Sequence, residues 1–240
     1  MRRVLVTGGG SGIGRAVARD FAAAGDHVVI TGRRESELAE TARGTGIEIR
    51  AADVTDEAAI TALFDLPFDV VVANAGKAHV GKLRDMALKD FQSVIGVNLT
   101  ATFLTFRAAL QAGMGPGGRL IAMASTASLQ GGSNLSAYVA SKHGVLGLVR
   151  SLAIEVARDA ITCNAVCPGF VDTDMADLAA RNVMAKFGID RDKAIAQITA
   201  GNPMRRLIDP EEVAAAVRFL ASPAASSVNG HALTVSGGEI

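Results

Sequence analysis

The chain has 240 residues, 49% hydrophobic and 20% charged, and its 24 Lys+Arg balance its 24 Asp+Glu. That length suits one α/β unit with ample core material, and zero net charge gives no basic excess for nucleic acid or an anionic membrane surface. Two nearby cysteines (Cys163, Cys167) and four scattered histidines fit neither a disulfide framework nor metal spacing, so reduced thiols, a cytoplasmic location and no metal are expected.

Met1-Arg2-Arg3 runs straight into a short apolar segment, too short for a signal-peptide core, and no apolar run approaches the roughly 20 residues of a membrane span. Short β-branched runs predict strands at 3–6, 28–30, 48–51, 70–73, 119–123, 161–166 and 232–235. Several are apolar throughout, as strands buried on both faces are. Amphipathic patterns predict helices at 13–24, 36–42, 57–64, 91–112, 138–158 and 210–221. The last has a clear start: Asp209 as N-cap, Pro210 in the first turn and Glu212 completing a capping box. This alternation predicts a doubly wound parallel sheet with helices on both faces, in one domain over 1–240. Functional groups should gather at the carboxyl ends of the strands.

The first strand ends in Thr7-Gly8-Gly9-Gly10-Ser11-Gly12-Ile13-Gly14. The spacing Gly8-x-x-x-Gly12-x-Gly14 differs from G-x-G-x-x-G. Even so, glycines let the backbone approach a phosphate, and the following helix start offers free N–H groups. The second strand ends in Thr31-Gly32-Arg33-Arg34, without the acidic residue that would hold the ribose hydroxyls of NAD. Arg33 offers a guanidinium for a phosphate, which favours NADP(H), unless both arginines are solvated loop charges; Ser11 adds no second cation there. Asp53, followed by Val54, could accept from an adenine amino group or cap the next turn. Asn74-Ala75-Gly76 forms a turn after the fourth strand, with Gly76 placed to lie under a cofactor. Asn98 is a polar residue inside an apolar helical pattern and needs a partner. Hydroxyls cluster at Ser125, Thr126 and Ser128. In Tyr138-Val139-Ala140-Ser141-Lys142 the phenol and ammonium share one helix face, and a nearby cation should lower the phenol's pKa toward neutrality, unless the pair merely decorates the helix surface.

In this order the pieces resemble the short-chain dehydrogenase/reductase family over essentially the whole chain. The motifs are Thr7-Gly8-x-x-x-Gly12-Ile13-Gly14, Asn74-Ala75-Gly76, Asn98, Ser125, Tyr138-x-x-x-Lys142 and Pro168-Gly169-x-Val171-x-Thr173, with Ala73 where many relatives carry an asparagine. The resemblance implies a Rossmann-type domain and a catalytic set of Asn98, Ser125, Tyr138 and Lys142. Tyr138 would be the general acid in carbonyl reduction, Lys142 would lower its pKa and hold the nicotinamide ribose, Ser125 would bind the substrate oxygen, and Asn98 would position Lys142 and a water. Asp53 and Val54 would contact adenine, Asn74 and Gly76 the adenosine ribose, and Val171 and Thr173, beside Pro168 and Gly169, the nicotinamide carboxamide. The segment 174–207 would be a mobile substrate lid, its methionines either a flexible apolar cover or core packing.

Local runs around Ser141–Val145 and Ile161–Val171 resemble members acting on 3-oxoacyl thioesters, polyketides or 3-hydroxybutyrate; Ala78 before His79 speaks against a free hydroxy acid. The leading expectation is an NADP(H)-dependent reductase of a 3-oxoacyl thioester carried on CoA or acyl carrier protein, with Arg205 or Arg206 near the carrier's phosphate. The rivals are an NAD-dependent dehydrogenase of a hydroxyacyl-CoA, secondary or cyclic alcohol and, more remotely, a nucleotide-sensing regulator without catalysis. The resemblance also implies a homotetramer assembled through the long helices.

Overall fold

Val4, Leu5 and Val6 are consecutive on one strand and all fully buried, although neighbouring strand residues point to opposite faces. Such a strand must be covered on both sides. In the computed structural model, which describes residues 1–240, seven strands supply that arrangement. They are β1 (Arg3–Thr7), β2 (His27–Thr31), β3 (Glu48–Ile49), β4 (Val70–Ala73), β5 (Arg119–Met123), β6 (Thr162–Pro168) and β7 (Ala232–Val235), all parallel, in the order β3-β2-β1-β4-β5-β6-β7.

On one face Val4, Val6, Ile30 and Val72 pack with Phe21 of α1 (Gly12–Ala23), Leu38 of α2 (Glu35–Ala42) and Val217 of α9 (Pro210–Leu220). On the other, Leu5, Val71 and Leu120 meet Ile60 of α3 (Glu57–Ala62), Phe106 of α5 (Ala101–Gln111) and Val149 of α6 (Ser136–Glu155). The strand order reverses its direction of growth between β1 and β4, the place where open α/β sheets take their ligands beyond the strand ends.

The predicted strands and helices are present, with local differences. β3 has two residues rather than four, although Arg50 and Ala52 still donate backbone bonds to Ile30 and Gly32. The stretch predicted as one helix over 91–112 consists of α4 (Leu88–Ile95), a π turn (Gly96–Thr100) and α5. Together they make a helix, Leu88–Gln111, that by length and mean composition compares with a membrane span, but it carries Lys89, Asp90 and Arg107 and half of the apolar window is buried within the fold. At the start of α9, Glu212 accepts from the Asp209 N–H at 2.9 Å, as a capping box requires. The segment 174–207 carries α7 (Asp174–Phe187) and α8 (Arg191–Ile198).

Candidate active site

Four chain segments converge at the carboxyl edge of the sheet. The glycine turn after β1 is built by exclusion: a Cβ on Gly14 would lie 2.2 Å from the Gly8 carbonyl oxygen, and one on Gly8 would lie 2.9 Å from Ala75 Cα. Gly8 also has a φ of 65°, in the left-handed region that favours glycine. Asn74 stitches this turn to β4, its amide donating to the carbonyls of Thr7 (2.9 Å) and Gly8 (3.3 Å) while its N–H donates to Thr7 Oγ1 (3.0 Å). Helix α1 then starts with no acidic residue in its first turn and no side-chain cap from Ser11, so its positive end is uncompensated. A backbone cradle aimed at a helix start of this kind fits a dinucleotide phosphate.

At the end of β2, Arg33 is exposed. Arg34 is also exposed, and it reaches Ser11 Oγ at 3.3 Å and Glu37 at 3.9 Å. Ser11 itself supplies no cation, as the sequence implies; the second cation near the turn is Arg34. The sequence offered two adjacent arginines at this strand-to-helix junction, and which of them meets the turn is set by the fold. Asp53 accepts from Thr55 N (2.9 Å) and Oγ1 (2.8 Å), so it does cap the next turn. Those bonds first, and the Arg33 charge after them, hold its carboxyl below the usual range. Val54 behind it is buried.

The end of β5 and the start of α6 carry the reactive side chains. Ser125 precedes a 3₁₀ turn (Thr126–Ser128) and accepts from Ala127 N at 3.1 Å. Lys142, only 4% exposed, donates to the carbonyl of Met123 at 2.7 Å, and its Nζ is 5.7 Å from the centre of the Tyr138 ring. Burial lowers its pKa to about 8. The expectation that Lys142 lowers the Tyr138 pKa is not met. Burial pushes the phenol up, against the opposing pull of the neighbouring Ser125 hydroxyl, while the Lys142 ammonium donates to the Met123 carbonyl. The phenol is therefore held protonated. Cys167, fully buried at the end of β6, adjoins this group, and burial lifts its thiol to about 11.

Asn98 lies in the π turn with all its polar atoms engaged. Oδ1 accepts from Lys77 N (2.8 Å), and Nδ2 donates to Lys77 O (2.9 Å) and Ser141 Oγ (2.9 Å). Through these bonds it clamps the loop after β4 onto α6, the helix that carries Lys142. Asn98 and Lys142 border one spot: a Cβ on Gly76 would lie 3.5 Å from Asn98 Oδ1 and 3.7 Å from Lys142 Nζ.

Beyond β6, Pro168 and Gly169 lead to Val171, whose side chain is buried and whose backbone pairs with Ile208. Thr173 lies against the glycine turn, since a Cβ on Gly12 would sit 2.9 Å from its Cγ2. Ile13 of that turn is partly buried. In the segment 174–207, Met175, Leu178, Phe187 and Met204 are exposed while Ala176, Ala180 and Ala194 are buried, so Met175 and Met204 are not core packing. Arg206 makes a two-point surface pair with Glu212 (2.6 and 2.8 Å), and Arg205 is exposed with a φ of 55°.

Comparison with known proteins agrees with this geometry. The family described as Enoyl-(Acyl carrier protein) reductase matches residues 8–239. The granaticin polyketide synthase putative ketoacyl reductase 1 of Streptomyces violaceoruber is 39% identical over 98% of this chain and 91% of its own length. The chain is a short-chain dehydrogenase/reductase. It is an oxidoreductase of that family, which binds NAD(P). A D-beta-hydroxybutyrate dehydrogenase of Cupriavidus necator is 33% identical over 99% of this short-chain dehydrogenase/reductase and 97% of its own length. A solved structure of an actinorhodin polyketide ketoreductase variant with NADPH superposes with a TM-score of 0.95, at 36% identity, over 99% of this chain and 97% of that one.

Proposed function

We propose that the protein reduces a 3-oxoacyl thioester to the 3-hydroxyacyl product with NADPH. The observation that carries this is the Ser125–Tyr138–Lys142 group at the carboxyl edge of the sheet, in which a half-buried phenol stands beside the Ser125 hydroxyl with the Lys142 ammonium 5.7 Å from its ring. A carbonyl reduction needs an acid that still has its proton. The ketoacyl reductase relative and the NADPH-bound neighbour support the same direction.

Bound NADPH would supply the hydride. Gly8, Ser11, Gly12, Ile13 and Gly14 would hold its pyrophosphate, with Arg33 and Arg34 on the extra phosphate, Asp53 and Val54 at the adenine, and Asn74 and Gly76 beneath the adenosine ribose. The loop Pro168-Gly169-x-Val171-x-Thr173 would orient the nicotinamide end. Ser125 donates a hydrogen bond to the substrate carbonyl oxygen. Tyr138 passes its phenolic proton to that oxygen as negative charge gathers there, and Lys142 returns a proton to the phenolate and holds the ribose. Asn98 keeps the loop beside Lys142 in place. The exposed apolar side chains of the 174–207 cover would meet the acyl chain.

Exposed Leu88, Phe103 and Ile154 on the two long helices support assembly as a homotetramer, which light scattering measures. The D-beta-hydroxybutyrate dehydrogenase relative favours the second reading, an NAD-dependent dehydrogenase. Fluorescence titrations with NADPH and NADH, followed by turnover of acetoacetyl-CoA, test the choice. NADPH preference with thioester reduction is expected; NADH preference with oxidation of alcohols would overturn it.

A further inference from the structure

The segment after β7 runs through Gly237 and Gly238, both at positive φ (62° and 89°). It is wedged against the end of the helical cover: a Cβ on Gly237 would lie 2.1 Å from Asn202 Oδ1, and one on Gly238 would lie 3.3 Å from Pro203 Cγ. Asn202 is itself fixed, accepting from Met204 N and donating to the Arg206 carbonyl. This wedge delivers the Glu239 carboxylate between two loops. Oε1 accepts from the Gln130 amide at 2.7 Å, in the loop that follows Ser125, and Oε2 lies 2.9 Å from where a Cβ on Gly169 would stand, just past β6. β5 and β6 are neighbours, and Tyr138 lies beside Ser125, two residues past the end of β5, and Cys167, near the end of β6. A carbonyl held by Ser125 and Tyr138 therefore has Glu239 between the two loops that flank it. The carboxylate's one hydrogen-bond partner is neutral, so its charge is uncompensated.

The geometry points to Glu239 as a specificity-determining residue that selects substrates by charge, repelling free 3-oxo acids and admitting neutral 3-oxo esters and thioesters. It rests on the thioester-reductase reading and deepens it, because discrimination against the unwanted partner is achieved by a like charge rather than by added contacts. Glu239→Gln removes the charge and keeps an acceptor for Gln130.

The test is kcat/KM with NADPH for acetoacetate and for ethyl acetoacetate, which share the ketone and differ in charge. Glu239→Gln is expected to raise the acid-to-ester ratio about tenfold. In the wild type, raising ionic strength from about 0.02 M to about 0.5 M should raise the same ratio, and in Glu239→Gln it should not. The salt response of the wild type needs no variant, and a purely structural role for Glu239 would leave it flat. Reduction of the ester and of acetoacetyl-CoA, with a ratio that neither the substitution nor salt moves, overturns the charge filter alone. A wild type that reduces neither the ester nor acetoacetyl-CoA, whose reacting end is uncharged although its carrier bears phosphates, overturns the thioester-reductase reading and the filter with it.

Discussion

Replacing Lys142 by Met tests the electrostatics of the site through folding. The ammonium is 4% exposed, and burial brings its pKa from 10.5 to about 8. Between those two values the unfolded chain binds a proton that the folded chain has released, so stability rises with pH across that window. Below pH 8 both states are protonated and the whole penalty of the buried charge is present, about 3 kcal/mol at about 1.4 kcal/mol per tenfold in proton affinity. Lys142→Met has no such proton. The wild type should gain on the variant by about 1 kcal/mol between about pH 7 and 9, and by about 2.5 kcal/mol by about pH 10. The 2.7 Å bond to the Met123 carbonyl is lost in the variant at every pH, so the slope and not the offset is diagnostic. Urea unfolding of both proteins without cofactor measures it. A stability difference that stays flat with pH would refute the claim that burial governs this ammonium.

Asn98→Ala deletes three hydrogen bonds of 2.8, 2.9 and 2.9 Å around a side chain that is 1% exposed. It should cost about 2–4 kcal/mol in urea unfolding, and a loss under about 1 kcal/mol would mean the loop after β4 holds itself. Gly14→Ala forces a methyl to within 2.2 Å of the Gly8 carbonyl oxygen, so the turn must open. NADPH affinity by nicotinamide fluorescence should fall at least about tenfold, and unchanged affinity would separate this turn from the phosphate. Arg33→Ala should weaken NADPH about tenfold while NADH binding holds, whereas equal weakening of both would place Arg33 away from the extra phosphate.

Much of this was legible in the residues. The apolar runs of β1, β4 and β5 announce themselves because parallel strands are buried on both faces, and Tyr138 and Lys142 share a helix face through their spacing alone. Asn98 gave a real signal, a polar residue that needed a partner, but the partners are the backbone of Lys77 and the Ser141 hydroxyl, and backbone groups leave no mark in residue identity. For the same reason the Met123 carbonyl that claims Lys142 is invisible in the sequence, and the raised Tyr138 pKa, which comes from burial, leaves no mark in residue identity either. The π turn at Gly96–Thr100 inserts into an apolar pattern without breaking it, so one helix was read where the geometry changes. Glu239 reaches Gln130 from 109 residues away, a contact made only when the last strand folds beside β6.

In the proposed NADPH-dependent reduction Tyr138 delivers the proton. Tyr138→Phe keeps the ring and removes only the hydroxyl. NADPH oxidation with acetoacetyl-CoA should fall at least about a hundredfold while fluorescence titration still detects NADPH binding. Turnover within about fivefold of the wild type would contradict the account, because another group would then be supplying the proton.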